Sequence, residues 1–257
     1  LIATLSTIVV LGVFGFVVVN SRGWPLLQST FFDGQVFAKA LPNITKAFWL
    51  NVQIFLVTEV FILVFALVLA VMRSLPGPVF FPLRVMAIAY IDFFRGVPSI
   101  ILVYMLGFGI PALGLPGVPR DVLLWAVITL ILVWSAYVAE VYRAGIESVH
   151  RSQDAAARSL GLTQFQSLRY VVLPQAVRRV IPPLLNDFIG LQKDTALVAF
   201  VGPIEAFRRA QIEAASTFNF TPYVVSALLF LAITVPMTRF VDWLIARNRR
   251  QRLAGAT

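Results

Sequence analysis

The sequence has no cysteine, a single histidine, three lysines and little charge of either sign. Without cysteine there is no disulfide framework, no thiolate metal site and no cysteine nucleophile. His150 stands alone and no carboxylate cluster has metal spacing, so it reads as a surface residue and no metal centre is expected. Charged residues make up 13% of the 257, against about 25% in soluble domains. The hydrophobic share is 59% and the mean hydropathy +0.86. Water could not solvate such a surface, so the chain reads as an integral membrane protein rather than a disordered or secreted one. Lys and Arg outnumber Asp and Glu by 21 to 12, a formal charge of +9. That excess raises nucleic acid as a partner, and the position of the positives decides against it.

A helix needs about 20 mostly apolar residues to cross a bilayer core of about 30 Å. Residues 1–19, 47–72, 121–142 and 222–245 meet that need. Residues 80–110 are apolar but broken by Asp92, Arg95-Gly96 and Pro98, a pattern of a shorter helix and then a span from about residue 97. Residues 180–201 make another span, interrupted by Asp187, Lys193 and Asp194. The fold class is therefore all-α, with about six transmembrane helices. The chain opens on Leu1 rather than Met, so a native start ahead of it is expected; Asn20-Ser21-Arg22 is no small-residue cleavage site, and the first apolar run reads as a span. Residues 28–46 are mildly amphipathic and suit the membrane surface.

Arg143, Arg151, Arg158, Arg169, Arg178 and Arg179 crowd the fourth-to-fifth connection, and Arg247, Arg249, Arg250 and Arg252 the tail. Six spans put both termini and that connection on one side, which the positive-inside rule makes cytoplasmic. Membrane lipid accounts for the charge, and nucleic acid has no place as a partner.

Within the connection, Ser152 can cap a short helix whose positive first turn holds Asp154. Ala155, Ala156 and Ala157 give it a small, smooth face. Gly161 allows a turn, and Pro174 stops or redirects a second helix before the membrane is re-entered. By composition alone this could be a plain surface helix. Its spacing, however, resembles the "EAA" coupling loop of bacterial ABC importer permeases: Glu-Ala-Ala, three residues, Gly, nine residues, Ile, any residue, Leu-Pro. Ala156-Ala157, Gly161, Val171 and Leu173-Pro174 fall at those positions, with Val for Ile and Ala155 in place of the Glu. The segments 94–98 (Phe-Arg-Gly-Val-Pro), 136–145 and 192–198 are similar to stretches of the polar amino acid permeases.

The resemblance implies a five-helix permease core at 47–257, with a coupling loop at about 146–178, preceded by an added N-terminal span and connector at 1–46. It implies a translocation-path subunit of the bacterial inner membrane. Its partners would be cytoplasmic ABC ATPase subunits, a second permease subunit (identical or not, with Ala155 favouring a non-identical one) and an extracytoplasmic amino acid-binding protein. Asp154, Ala155, Ala156, Ala157, Gly161, Leu173 and Pro174 would meet the ATPase. This chain has no Gly-x-x-x-x-Gly-Lys-Ser/Thr, since no lysine follows a glycine, so it is not expected to be an enzyme or to hold a cofactor; ATP and Mg belong to the partner.

Charges at membrane depth cost about 2.5–3.5 kcal/mol each on insertion scales and are functional candidates by default. An amino acid needs donors for its carboxylate and acceptors for its ammonium. Lys193, with Arg95 as an alternative, would take the carboxylate, while Glu140, Asp194 and the Thr195 hydroxyl would hold the ammonium or side chain. The competing reading is internal pairing, as between Glu140 and Arg143 one turn on. A secondary transporter can also use broken helices and midplane charges, but it usually shows repeated halves, and none are found here. A mere membrane anchor would not gather such charges.

Overall fold

The computed structural model describes residues 2–254, with side chains for 4–247; the tail residues Arg249, Arg250 and Arg252 lie outside the described side chains. Helices occupy nearly all of it, and no strand occurs among the described residues. In lipid every backbone N–H and C=O must be satisfied within the segment, which long apolar runs achieve as helices.

The helix α1 (Ile2–Val19) is followed by a short α2 (Trp24–Phe31) and by the 41-residue α3 (Gly34–Ser74). Asp33 starts α3, its Oδ1 accepting the N–H groups of Gln35 at 2.8 Å and Val36 at 3.0 Å. The helix runs through Pro42, so 34–46 extends the first core helix rather than lying as a separate surface element. Arg84 donates to the carbonyls of Leu75 and Gly77, both at 2.7 Å, and closes the turn into α4 (Phe81–Gly96). Val97 is extended, as a residue before proline tends to be, and α5 (Ser99–Ala112) leaves at 102° to α4.

The centre of the bundle is α6 (Val122–Glu147), capped by Asp121 and packed against α3, α4, α5 and α9 (Leu173–Asp194). Ile54, Ile62, Ile91, Val103, Leu130, Ala136, Ala139 and Leu191 form the main core around it. Close approach of α6 and α9 depends on two glycines. A Cβ on Gly190 would lie 2.3 Å from the Trp134 ring, and one on Gly145 would lie 1.9 Å from Val180 Cγ2. A second, smaller core joins the start of α3 (Ala40, Ile44, Phe48) to α10 (Ala206–Thr217) and α11 (Thr221–Ala254) through Ala206, Ala210 and Val225. Large apolar side chains such as Phe14, Phe16, Phe61, Val64 and Leu67 face outward, as lipid contact requires.

Three stretches are long and apolar enough to cross a membrane, Trp24–Ser74, Val122–Glu147 and Thr221–Arg247, with the bent α4–α5 pair as a fourth. Residues 180–201 are not one continuous α-helix. α9 ends at Asp194 and gives way to a 3-10 helix over Thr195–Val201.

The loop after α6 holds α7 (Arg151–Ser159) and α8 (Gln164–Ser167) on either side of Gly161, whose φ of +93° demands glycine. Three local expectations change. The cap of α7 is His150, not Ser152: the His150 Nδ1 accepts the Ser152 N–H at 3.2 Å, two positions earlier than the serine pattern suggests. Ala157 is buried, so only Ala155 and Ala156 present the small face. Pro174 does not end the helix. A π turn over Leu168–Val172 widens the path, and Pro174 sits in the first turn of α9, where its missing N–H is tolerated. Thr163 and Gln166 form a reciprocal capping box for α8, and Ser167 Oγ donates to Asp154 Oδ1 at 2.5 Å. α7 and α8 are thereby tied together and feed directly into α9.

Candidate functional site

Glu140 lies near the end of α6, where three other positions converge on it. Arg73 at the end of α3 pairs with its Oε1, Arg143 one turn on binds Oε2 at 2.9 Å, and Arg95 at the end of α4 lies 3.7 Å from Oε2. Arg143 also pairs with Glu147. The internal pairing weighed against a ligand role is thus present, with two arginines more than the helix spacing alone supplies. Arg95 differs from the other two. Its side chain is 41% exposed, its ion contact is long, and its guanidinium stands 5.5 Å over the Tyr137 ring.

Beside this knot lies a cavity of about 490 Å³ whose walls include Arg95, Tyr137, Glu140, Arg143, Arg179 and Asp187. Arg179 is held by donating to the Ser148 carbonyl. Asp187, on α9, carries a buried Oδ2 with no hydrogen-bond partner among the described residues, and it lines the same cavity as Arg95. A buried carboxylate oxygen left unpaired is costly, so this one is an acceptor awaiting a donor. The cavity thus offers a partly free cation and an unpaired anion.

Lys193 is elsewhere. It lines a separate cavity of about 280 Å³ with Ala196, Phe207, Tyr223, Ser226 and Phe230, and it makes no hydrogen bond or close ion pair among the described residues. Asp194 beside it is half-buried. Thr195 is fully buried; its hydroxyl donates to the Gln192 carbonyl at 2.8 Å and accepts from Asn51 Nδ2 at 3.1 Å. The same Asn51 amide donates to Glu205 Oε2 at 2.8 Å, and Glu205 caps α10 through the Phe207 and Arg208 N–H groups. Burial pushes the Glu205 carboxyl above the ordinary glutamate range, and these donors pull it back.

The five expected ligand residues therefore divide. Arg95 and Glu140 share one cavity, Lys193 faces another, Asp194 is half-buried and lines neither, and Thr195 points into the packed interior. Asp187 and Arg179 complete the first cavity, and Arg73 the ion-pair knot at Glu140, without having been assigned to them. Asp187 carried a signal, as an acid in the middle of an apolar run; Arg73, at the end of its run, reads only as a helix terminus.

The family described as binding-protein-dependent transport system inner membrane component matches residues 71–250. The chain is 36% identical over 217 residues to the probable amino-acid ABC transporter permease protein PatM of Vibrio harveyi, across 84% of this chain and 96% of that one. It is 36% identical over 185 residues to the probable glutamine ABC transporter permease protein GlnM of Bacillus subtilis (strain 168), across 72% and 83%. Among solved structures it is similar to a crystal structure of an amino acid ABC transporter with histidines, with a TM-score of 0.75, 29% identity, and 84% and 98% of the two chains covered. The inward-facing MetNI methionine ABC transporter, at 20% identity and a TM-score of 0.62 over 79% and 95%, shares the fold.

Proposed function

Given that the chain belongs to the binding-protein-dependent transport system inner membrane component family, we propose that it carries a polar amino acid through the Arg95–Asp187 cavity. The named relatives handle amino acids, which supports the substrate class. The observation that carries the site is the unpaired Asp187 Oδ2 in a cavity shared with a partly free Arg95. A zwitterion brings a carboxylate for the one and an ammonium for the other, and so satisfies both groups away from water. Glu140 then acts through Arg95, holding its guanidinium toward the cavity, and Tyr137 supports the ring-facing side.

Transport needs a partner to supply energy. In this reading the α7–α8 loop docks on a cytoplasmic ATPase through Ala155, Ala156 and the exposed Leu160 and Phe165, with both termini on the same side. ATP and Mg are held by that partner, a second permease completes the path, and an external binding protein delivers the substrate. Because α8, the π turn and α9 are continuous, a shift of the loop moves the helix that carries Asp187. Closure of the ATPases would thus bias the cavity between its two openings, a population shift driven by ligand.

The test begins with the tagged chain purified from native membranes, where a Walker-motif ATPase is expected in stoichiometric amount. In proteoliposomes with a panel of radiolabelled amino acids, Asp187→Asn is expected to lower uptake about 100-fold, the loss of a charge-assisted contact worth about 3 kcal/mol. Lys193→Ala is expected to lower it less than about threefold, since no acid lines its cavity to complete a zwitterion site. The reverse ranking of the two variants would move the site to the Lys193 cavity.

A further inference from the structure

At the end of α3 remote from Arg73, a further cavity of about 390 Å³ opens between this helix and α10. Asn43, Lys46, Ala47 and Leu50 line it from α3, and Ile204 and Arg209 from the other side. The four α3 positions have the i, i+3, i+4, i+7 spacing of one helix face. Along that face the wall passes from polar to apolar within about 10 Å.

Neither cation is fully engaged. Lys46 makes no hydrogen bond or ion pair among the described residues. Arg209 gives its Nε–H to Glu213 Oε1 at 2.8 Å, and its two terminal nitrogens donate to no described residue. Glu213 does not line the cavity, so the wall carries two positive charges and no acid.

The depth of the cavity follows from α3. Lys46 and Arg73 bracket an apolar run whose only charge is Glu59, and they lie 27 residues apart, about 40 Å along the helix. A bilayer measures about 40–45 Å with its headgroup regions included, so cations at the two ends of the run stand at the two headgroup levels. Trp49, 59% exposed and nearly one turn inward from Lys46, lies where indole rings collect at a membrane interface. α10 reaches the same level. The Ala206 N–H meets Asn51 Oδ1 at 3.1 Å and Ala210 packs with Ala40, Ile44 and Phe48, which sets Arg209 beside Lys46.

We propose that this cavity seats the phosphate of an acidic phospholipid, held by Lys46, Arg209 and the Asn43 amide, with an acyl chain passing Leu50 and Ile204. Charge-assisted hydrogen bonds from lysine and arginine suit a phosphate. Cations outward and apolar wall inward is the order in which a lipid presents its own head and chains. A headgroup with an ammonium would bring positive charge to a wall without an acid, so phosphatidylglycerol is favoured over phosphatidylethanolamine. Bound there, the lipid ties α10 to α3 one step outward from the Asn51 contacts. The inference needs only that α3 spans the bilayer, and it is independent of the solute carried.

Native mass spectrometry tests it, on the complex purified from native membranes, delipidated and titrated with phosphatidylglycerol, phosphatidylethanolamine or inorganic phosphate. One phosphatidylglycerol per chain is expected to bind about tenfold more tightly than phosphatidylethanolamine. Lys46→Ala and Arg209→Ala should each weaken it about fivefold and together about 25-fold, the loss of one cation near a headgroup each time. Lys39→Ala removes an exposed cation of the same helix outside the cavity and should stay within about twofold. Lys46→Glu, at an exposed position, stands in where Arg209→Ala fails to fold, and should cost at least as much as the double variant. Equal losses for Lys39→Ala and Lys46→Ala would overturn the site in favour of general surface charge. Inorganic phosphate that binds as tightly as the lipid would assign the cavity to a free anion and overturn the lipid. So would an acidic protein retained through Lys46 while phosphatidylglycerol binding is unchanged by the variants.

Discussion

Glu140→Ala is expected to destabilise the chain by about 2–4 kcal/mol and to abolish uptake. Removing one partner of a well-buried ion pair costs about 3–5 kcal/mol, because the remaining charge stays desolvated. Here the Glu140 side chain is 16% exposed and its three arginines between 25 and 41%, so water takes up part of that penalty. Three guanidinium groups would nevertheless be left facing one another at the junction of α3, α4 and α6. Glu140→Gln keeps the shape but not the charge and should fall near the alanine variant. Glu140→Asp keeps the charge and should recover at least half of the loss. The double variant Glu140→Ala with Arg95→Ala should be more stable than Glu140→Ala alone, since one repelling cation is gone. Thermal unfolding in mild detergent, followed by size-exclusion chromatography, measures the series. An unaltered melting temperature for Glu140→Ala would remove the knot from the account of the fold.

Gly145→Ala is expected to cost about 1–3 kcal/mol, and Gly145→Leu enough to prevent stable folding. The added Cβ would meet Val180 Cγ2 at 1.9 Å, Val180 Cβ at 3.3 Å and the Ala176 carbonyl at 3.6 Å. Valine is stiff about its first side-chain torsion, so the methyl group has little room to turn away, and the helices must separate instead. The contact lies where α6 leaves for the loop and α9 returns from it, so separation there also loosens the wall of the Arg95–Asp187 cavity. The rescue is specific: Val180→Ala placed with Gly145→Ala should return most of the lost stability, because it gives back the volume taken. If the double variant is no better than Gly145→Ala alone, steric conflict with Val180 is not the cause.

Both predictions concern pairs that the sequence holds far apart, and that distance marks what was legible and what was not. The helical class, the apolar spans within 47–72, 121–142 and 222–245 and the break before Pro98 follow from composition and backbone chemistry alone, and the structure has them, whereas residues 180–201 do not form one continuous α-helix. The loop spacing around Gly161 was readable because a left-handed turn requires that residue type. Side-chain direction was not. Lys193, Asp194 and Thr195 are consecutive, yet a helix turns about 100° per residue, so they face a cavity, a half-buried seam and the core. The change to 3-10 form at Thr195 then altered the phase that any α-helical wheel would assume. Arg73 and Glu140 are 67 residues apart, and only packing of α3 on α6 brings them together. Pro174 shows the opposite error. A breaker in isolation, it is accommodated by the π turn before it, which no single-residue propensity anticipates.

The length of α3 has a further consequence. Its 41 residues at about 1.5 Å each make about 61 Å, twice the hydrocarbon thickness of about 30 Å, and even a 40° tilt leaves about 20 Å standing clear of the lipid. Lys39 and Lys46 fall in the stretch that overhangs if the apolar run from residue 47 is the part immersed. The outer part of the small core, around Ala40 and Ile44, then assembles in water, while the large core around α6 assembles in oil. The first is held by expulsion of water from apolar surface, a force that weakens in urea and on cooling. The second has no such force and depends on close contact and pairing between helices. One helix thus joins two cohesions of different physical origin, and solvent conditions can soften one end of the protein while leaving the other intact.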